Sequence, residues 1–204
     1  MITKAKTGLL ATAIAVICAL VSPAAVAEGN AEEGAALGYS CLGCHGIDGY
    51  RNAYPSYRVP KLGGQKASYL EIALRGYRDG TRKHPTMNGQ AESLSDEQIE
   101  NVAAYFATLN ADTVEAGGSE GISLEQAATC TACHGQNGIS LSPAWPTLAG
   151  QHEDYLVHAL KAYRDGDRSD PQMMPMAANL TDPEIKLLAK YFSRLEGLET
   201  TKSD

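Results

Sequence analysis

The chain has 204 residues, and its 24 acidic side chains outnumber its 17 lysines and arginines, for a formal net charge of −7. This length allows one or two small domains, and the acidic balance argues against nucleic acid as a partner. Four of the five cysteines lie in two short motifs, which leaves none for a disulfide framework or a catalytic thiol.

The N-terminal segment has the pattern of a secretory signal peptide. Lys4 and Lys6 precede an apolar run over residues 9–21, and Ala25-Val26-Ala27 is a small-residue cleavage site. We therefore predict cleavage after Ala27 and export to the periplasm. An uncleaved membrane anchor and a lipoprotein anchor at Cys18 are the alternatives.

Two five-residue strings carry the main chemical signal: Cys41-Leu42-Gly43-Cys44-His45 and Cys130-Thr131-Ala132-Cys133-His134. Each is a C-x-x-C-H motif, which is typical of covalent c-type haem attachment. The cysteines of such a motif form thioethers to the haem vinyl groups, and the histidine binds the iron. We predict covalent haem at Cys41, Cys44, Cys130 and Cys133, with His45 and His134 as axial iron ligands. A disulfide within each pair and a zinc site remain alternatives.

The sequence is an internal duplication. With a shift of 86 positions, residues 60–109 align with 146–195 without a gap, and 23 of the 50 positions are identical. The motifs are 89 residues apart (130 − 41), so the first copy has three additional residues, which fall in Tyr50–Val59. We predict a signal peptide at 1–27, cytochrome c domains at 28–109 and 122–204, and a polar, Gly-rich linker at 110–121.

Each copy is predicted to be helical. Apolar residues recur at helical spacing from Tyr69 to Tyr77 and again from Tyr155 to Tyr163. Capping boxes at Ser95 and Thr181 mark the start of a final helix in each copy. Shorter helices are expected near residues 31–40 and 122–129, before the motifs. The predicted fold is all-α, with two tandem cytochrome c-like domains, each built around one covalent haem.

The duplication also predicts the sixth iron ligand, because an axial ligand should recur at one place in both copies. Met87 aligns with Met173, and no other methionine pair aligns. His84 aligns with Asp170, so it does not repeat. We predict Met87 and Met173 as axial ligands, with the neighbouring Met174 and Met176 as alternatives in the second copy. His84 is either a replacement ligand for Met87 or a surface histidine.

Other repeated residues have weaker predicted roles. The carbonyl groups of Pro60 and Pro146 are candidates to accept the N–H of each motif histidine. Trp145 is expected to pack near the second haem. Four arginines that repeat as pairs either bind haem propionates or are solvated: Arg78, Arg164, Arg82 and Arg168.

On these motifs the chain resembles the cytochrome c4 family, the dihaem class I c-type cytochromes of bacterial periplasms. The resemblance covers residues 30–197 and rests on C-x-x-C-H-G at 41–46 and 130–135, on Pro-Lys-Leu-Gly-Gly-Gln at 60–65 and on Pro-Thr-Leu-Ala-Gly-Gln at 146–151. Methionine seven residues before Leu-Ser-Asp or Leu-Thr-Asp is a further match. The resemblance implies two domains with facing haem propionates and electron transfer to a terminal oxidase or another periplasmic redox enzyme.

Charge is unevenly distributed in the first copy. Residues 51–83 contain eight basic side chains against Glu71 and Asp79. We hypothesise that this basic patch docks an acidic partner near the first haem, and the alternative is a solvated surface.

The predicted function is that of a periplasmic electron carrier with two covalently bound haem c groups, not an enzyme. Its expected partners are periplasmic or membrane-bound redox proteins, such as a terminal oxidase or a quinol-cytochrome c reductase. A weak association with the membrane surface is a further alternative. The alternatives are a haem subunit of an oxidoreductase, of the flavocytochrome or thiosulfate-oxidising type, a dihaem peroxidase, and a haem-based sensor.

Overall fold

A computed structural model describes residues 29–116 and 125–201, which form helices and connecting loops. The predicted signal peptide lies outside the described residues, as does the Gly-rich part of the predicted linker. The helices are α1 (Ala31–His45), α2 (Ala67–Arg78), α3 (Pro85–Glu92), α4 (Asp96–Thr108), α5 (Ala111–Ala116), α6 (Ala128–His134), α7 (Glu153–Asp165), α8 (Met173–Ala177) and α9 (Asp182–Ser193).

In the first domain, α1 and α2 pack against α4, and α3 packs against α2. The buried core is small and includes Leu70, Val102 and Phe106, with Cys41 of the first motif packed against it. Helix α1 is longer than expected, because it continues through the motif to His45 instead of ending before it. The motif therefore belongs to the last turns of a helix.

The second domain repeats this arrangement, with α7 packed against α8 and α9. Cys130 packs against a core that includes Leu156, Leu188 and Phe192. Here too the helix before the motif, α6, contains it and ends at His134. Both predicted capping boxes are present at the starts of α4 and α9. The two final helices therefore begin where the sequence indicates.

The predicted linker begins with structure. Ala111–Ala116 form α5, and Val114 on this helix is buried against the backbone of Gly64. Gly64 has a φ of 75°, and a Cβ there would lie 2.4 Å from Val114 Cγ2, so this close approach requires glycine. The domain boundaries at 109 and 122 remain a prediction.

The two domains exchange hydrogen bonds through a pair of buried glutamines. Gln65 Nε2 donates to the Thr147 carbonyl at 2.9 Å, and Gln65 Oε1 accepts from Thr147 N at 2.8 Å. Gln151 makes the same two bonds to Lys61, at 2.9 and 3.0 Å. Gln151 and Thr147 are Gln65 and Lys61 shifted by 86 residues, so the domains meet about a pseudo-two-fold axis.

The Tyr50–Val59 segment, which contains the three additional residues, lies against α7 of the second domain. Arg51 forms an ion pair with Asp154 at 2.9 Å, and the Arg58 backbone N–H donates to the same carboxylate at 3.2 Å. The Tyr57 ring, only 5% exposed, stacks on His158 with 4.1 Å between ring centroids. The segment is therefore an inter-domain contact. Within the described residues, no helix is long and apolar enough to span a membrane.

Candidate functional site: two haem centres joined at the domain interface

The first centre is built on the C-terminal end of α1. Cys41, Cys44 and His45 are spaced i, i+3 and i+4, so the three side chains share one face of the helix. In the second centre, α6 presents Cys130, Cys133 and His134 with the same spacing. A helix fixes the relative positions of two thioether sites and one imidazole, which is the geometry that one covalently held haem requires.

Both histidines are buried and fixed by a backbone carbonyl, as predicted. His45 Nδ1 donates to the Pro60 carbonyl at 2.8 Å, and His134 Nδ1 donates to the Pro146 carbonyl at 2.9 Å. This hydrogen bond leaves Nε2 of each ring as the nitrogen that can bind a metal. Burial lowers the pKa of both imidazoles below the usual value, which favours the neutral, metal-binding form.

The four motif cysteines form no disulfide among the described residues, and burial raises the pKa of Cys41 and Cys130. Nowhere in residues 29–116 and 125–201 do three His, Cys, Asp or Glu side chains form a group suited to a metal ion. Neither the disulfide nor the zinc alternative is therefore supported, whereas the arrangement of each motif fits covalent haem.

The two aligned methionines occupy matching positions. Met87 lies in the first turn of α3, and Met173 is the first residue of α8. Both are partly buried, whereas Met174 and Met176 are exposed, at 37% and 45%. In each copy, the backbone N–H of the aligned methionine is bound by the side chain three residues earlier. These positions favour Met173 over its neighbours as the counterpart of Met87.

His84 is held by contacts within the first domain. Its Nδ1 accepts the backbone N–H of Met87 at 3.2 Å, so it is the N-cap of α3. Its Nε2 lies 3.1 Å from the side-chain amide of Asn52. Because the ring is partly buried and both of its nitrogens have partners, the prediction of a plain surface histidine is wrong, whereas replacement of Met87 by His84 stays a prediction.

Arg82 and Arg168 are buried between the domains, at 6% and 4% exposure, so the prediction of solvated helix-end arginines is wrong for them. Their backbones form an antiparallel bridge. Each guanidinium contacts hydroxyl groups of tyrosines from both domains; the four are Tyr69, Tyr77, Tyr155 and Tyr163. Sequence analysis had assigned these tyrosines only to helix cores, although their recurrence at a shift of 86 was visible.

Two buried cations next to phenols are an unusual arrangement, because an unpaired buried charge costs several kcal/mol. No described carboxylate lies within ion-pair distance of Arg82 or Arg168. Burial disfavours both charges, but the surrounding phenol oxygens keep the pKa of each guanidinium above its usual value. The interface is thus suited to anionic groups, and haem propionates have the required chemistry.

The other arginine pair has a structural role. Arg78 binds the Leu94 carbonyl and the carboxylate of Asp96, at 3.2 and 2.9 Å. Arg164 binds Leu180 and Asp182 in the same way, at 3.1 and 2.8 Å. These bonds hold the start of the final helix of each domain. Trp145 Nε1 donates to Gln172, the residue before Met173, and its packing near the second haem stays a prediction.

The basic patch predicted at residues 51–83 is not a free surface. Arg51 and Lys83 form ion pairs with second-domain aspartates, at 2.9 and 3.1 Å. Lys61 Nζ donates to two second-domain carbonyls, at 2.6 and 3.1 Å. With Arg82 also buried, half of the eight basic side chains join the domains. Half of the patch thus takes part in domain packing, which linear charge density did not reveal, and docking of an acidic partner on the remaining basic side chains stays a prediction.

Comparison with known proteins agrees with this geometry. The profile of the family described as Cytochrome c matches residues 31–110 and again residues 119–196. Cytochrome c4 of Pseudomonas aeruginosa is 32% identical over 184 residues, which cover 83% of this chain and 90% of that protein. The chain belongs to the cytochrome c4 family. As a member of it, the chain carries two covalently bound haem c groups, one at each C-x-x-C-H motif.

Two further relatives are informative. The crystal structure of reduced recombinant cytochrome c4 from Pseudomonas stutzeri has a TM-score of 0.64 and 30% identity, over 82% of this chain and 100% of that chain. A protein named thiosulfate dehydrogenase electron acceptor, from Stutzerimonas stutzeri, is 34% identical over 79% of this chain and 81% of that protein. The all-α, two-domain fold is confirmed, and the relatives are electron-transfer proteins.

Proposed function

We propose that this member of the cytochrome c4 family is an exported, periplasmic electron carrier, not an enzyme, with His/Met ligation at both irons. The proposed ligand pairs are His45 with Met87 and His134 with Met173. When bound, each haem supplies a one-electron couple between ferric and ferrous iron. A thioether ligand stabilises the ferrous form and closes the sixth coordination position, which suits electron transfer better than catalysis.

One observation carries the ligand assignment. In both copies the aligned methionine stands at the start of a short helix, with its backbone N–H bound by the side chain three residues earlier. Two positions held in the same way, in domains that share C-x-x-C-H helices and carbonyl-bound histidines, are what two equivalent haem sites require. This argues against an open catalytic position in either domain.

The interface supports electron transfer between the domains. We propose that Arg82 and Arg168 bind propionate groups from both haems, which would neutralise the two buried charges. A shared set of arginines and tyrosines also holds the domains in one orientation. A fixed orientation keeps the distance between the two redox centres constant.

Two classes of partner are proposed. The first comprises a quinol-cytochrome c reductase as donor and a terminal oxidase as acceptor. The second is a thiosulfate dehydrogenase as donor, and it is favoured by the relative from Stutzerimonas stutzeri, which is named for that role. Stopped-flow reduction of the oxidised protein by each purified donor distinguishes them, because the physiological donor should be faster at equal driving force.

The ligand assignment is tested by the near-infrared methionine-to-iron charge-transfer band of the ferric protein. Met87→Ala and Met173→Ala should each remove about half of the band, and Met174→Ala should leave it unchanged. The unmodified ferrous protein should bind carbon monoxide slowly. Fast, stoichiometric binding would instead favour an enzyme or a sensor, and an unchanged band in both variants would refute the ligand set.

A further inference from the structure

The two domains hold their methionines with different side chains. In the second domain, the Asp170 carboxylate accepts the backbone N–H groups of Gln172 and Met173, at 2.9 and 2.8 Å. In the first, His84 takes this place and accepts the N–H of Met87 through Nδ1 at 3.2 Å. A neutral imidazole therefore does at Met87 what a carboxylate does at Met173.

The ring of His84 is fixed at its other nitrogen as well. Because Nδ1 accepts a hydrogen bond, Nε2 of the neutral ring carries the proton and must donate. The Asn52 side-chain amide lies against this nitrogen, with Nδ2 at 3.1 Å from Nε2. Two donors cannot share one hydrogen bond, so we assign the amide with its oxygen and nitrogen exchanged, which makes Oδ1 the acceptor. Asn52 thus determines the orientation in which His84 meets Met87.

Asn52 belongs to the Tyr50–Val59 segment, which is anchored on the other domain. Its backbone N–H donates to the Tyr57 carbonyl at 2.9 Å, and Tyr57 stacks on His158 of α7. Arg51, its neighbour, pairs with Asp154 of the same helix at 2.9 Å. A continuous series of contacts therefore leads from α7 of the second domain through Asn52 and His84 to Met87.

We propose that His84 is a positioning residue for Met87, and that the Tyr50–Val59 segment makes Met87 ligation depend on docking of the second domain. The proposal rests on the proposed role of Met87 as an axial ligand. Asp170 binds backbone N–H groups at the start of α8, and none of its described side-chain contacts reaches the first domain. His84, in contrast, is oriented by Asn52, whose segment is anchored on the second domain. Loosening the interface should therefore release the methionine of the first centre before that of the second.

The test compares carbon monoxide binding to the reduced, haem-loaded full-length protein and five variants. His84→Ala should increase the rate at one haem per molecule by about fivefold, the factor that corresponds to loss of a helix N-cap. His84→Asp should restore slow binding, because it installs the side chain found at position 170. Asn52→Ala should accelerate binding at the same haem by a smaller factor. Asp170→Ala is the matched control, and its effect should fall on the other haem.

Two results would overturn the proposal. One is wild-type binding in His84→Ala; the other is equally fast binding in His84→Ala and His84→Asp, because the carboxylate would then provide no support. Asp154→Ala, which breaks the anchor on α7, should also accelerate binding at the first haem, and unaltered binding there would refute the inter-domain part. Met87→Ala distinguishes failure of this proposal from failure of the ligand assignment on which it rests. If this variant left the charge-transfer band intact, Met87 would not be an axial ligand.

Discussion

Arg82 and Arg168 lie side by side across the domain boundary, where their backbones form an antiparallel bridge and their guanidinium groups reach tyrosines of both domains. They are related by the 86-residue repeat, so each makes in one domain the contacts that the other makes in its partner. A duplication has thus placed two like charges together in a buried interface. Burying such a pair without counter-charges is costly, so the interface favours anionic groups beside it.

Arg82→Gln should lower the reduction potential of at least one haem, because it removes a positive charge that favours the ferrous form. The expected shift is about 60 mV, which corresponds to a tenfold change in a one-electron equilibrium constant. Spectroelectrochemical titration measures it. Arg78→Gln is the control, since Arg78 pairs with the exposed Asp96, and its potentials should match those of the wild type. Unchanged potentials in Arg82→Gln would remove the case for propionate binding there.

Gln65→Ala should destabilise the haem-loaded protein by about 1–3 kcal/mol, because it leaves the buried N–H and carbonyl of Thr147 without partners. Gln151→Ala should have a similar effect through Lys61. Guanidinium denaturation monitored by circular dichroism provides the measurement. The exposed Gln136→Ala serves as the control. If all three variants unfolded at the wild-type midpoint, the paired glutamines would contribute nothing to domain packing.

His158 should make stability depend on pH. Burial, assisted by the nearby positive charge of Arg168, lowers its pKa to about 4. Because the folded protein disfavours the protonated ring, the neutral His158 contributes its full share to the free energy of unfolding above about pH 6.5. This contribution declines as the pH falls towards 4, because the unfolded chain takes up the proton first. His158→Phe retains a ring to stack on Tyr57 but cannot titrate. On acidification from pH 7 to pH 5, the midpoint temperature of thermal unfolding should fall less in the variant than in the wild type. If the midpoints of the two proteins differed by the same amount at both pH values, the prediction would be contradicted.

Sequence analysis correctly predicted those structural features that depend on residues close together within one copy of the repeat. The capping boxes at Ser95 and Thr181, the carbonyl-bound histidines and the aligned methionines each depend on residues within one copy. The repeat strengthened these predictions, because a functional position has to recur.

The interface could not be predicted in this way, because a repeat does not show which copy supplies a partner. Arg82 recurs at Arg168, yet the recurrence is equally compatible with contacts inside one domain and with contacts between two. The charge of residues 51–83 likewise did not show that Arg51 and Lys83 pair with Asp154 and Asp167 of the other domain. The role of His84 was hidden because it replaces an aspartate with an imidazole, a change that the alignment shows only as a mismatch.

Removal of haem from one domain should unfold that domain. Each core is small, and Cys41 and Cys130 pack directly against it, so a covalent haem adds a large part of the apolar contact surface. The double variant Cys41→Ala, Cys44→Ala should lose about half of the helical circular dichroism signal, and Cys130→Ala, Cys133→Ala is the matched variant for the other half.

Because the two domains share an interface, unfolding of the haem-free domain should also destabilise the domain that keeps its haem. With the first haem absent, Arg82 and Arg168 lose part of their proposed anionic partners, and unfolding of the first domain also removes the glutamine contacts at Thr147. The second domain should therefore show faster amide hydrogen exchange near Thr147 and Arg168 than in the wild type, while α9 exchanges more slowly than either. Native-like helicity in the haem-free first domain would show that its protein core suffices, and unchanged exchange at Thr147 would show that the two domains fold independently.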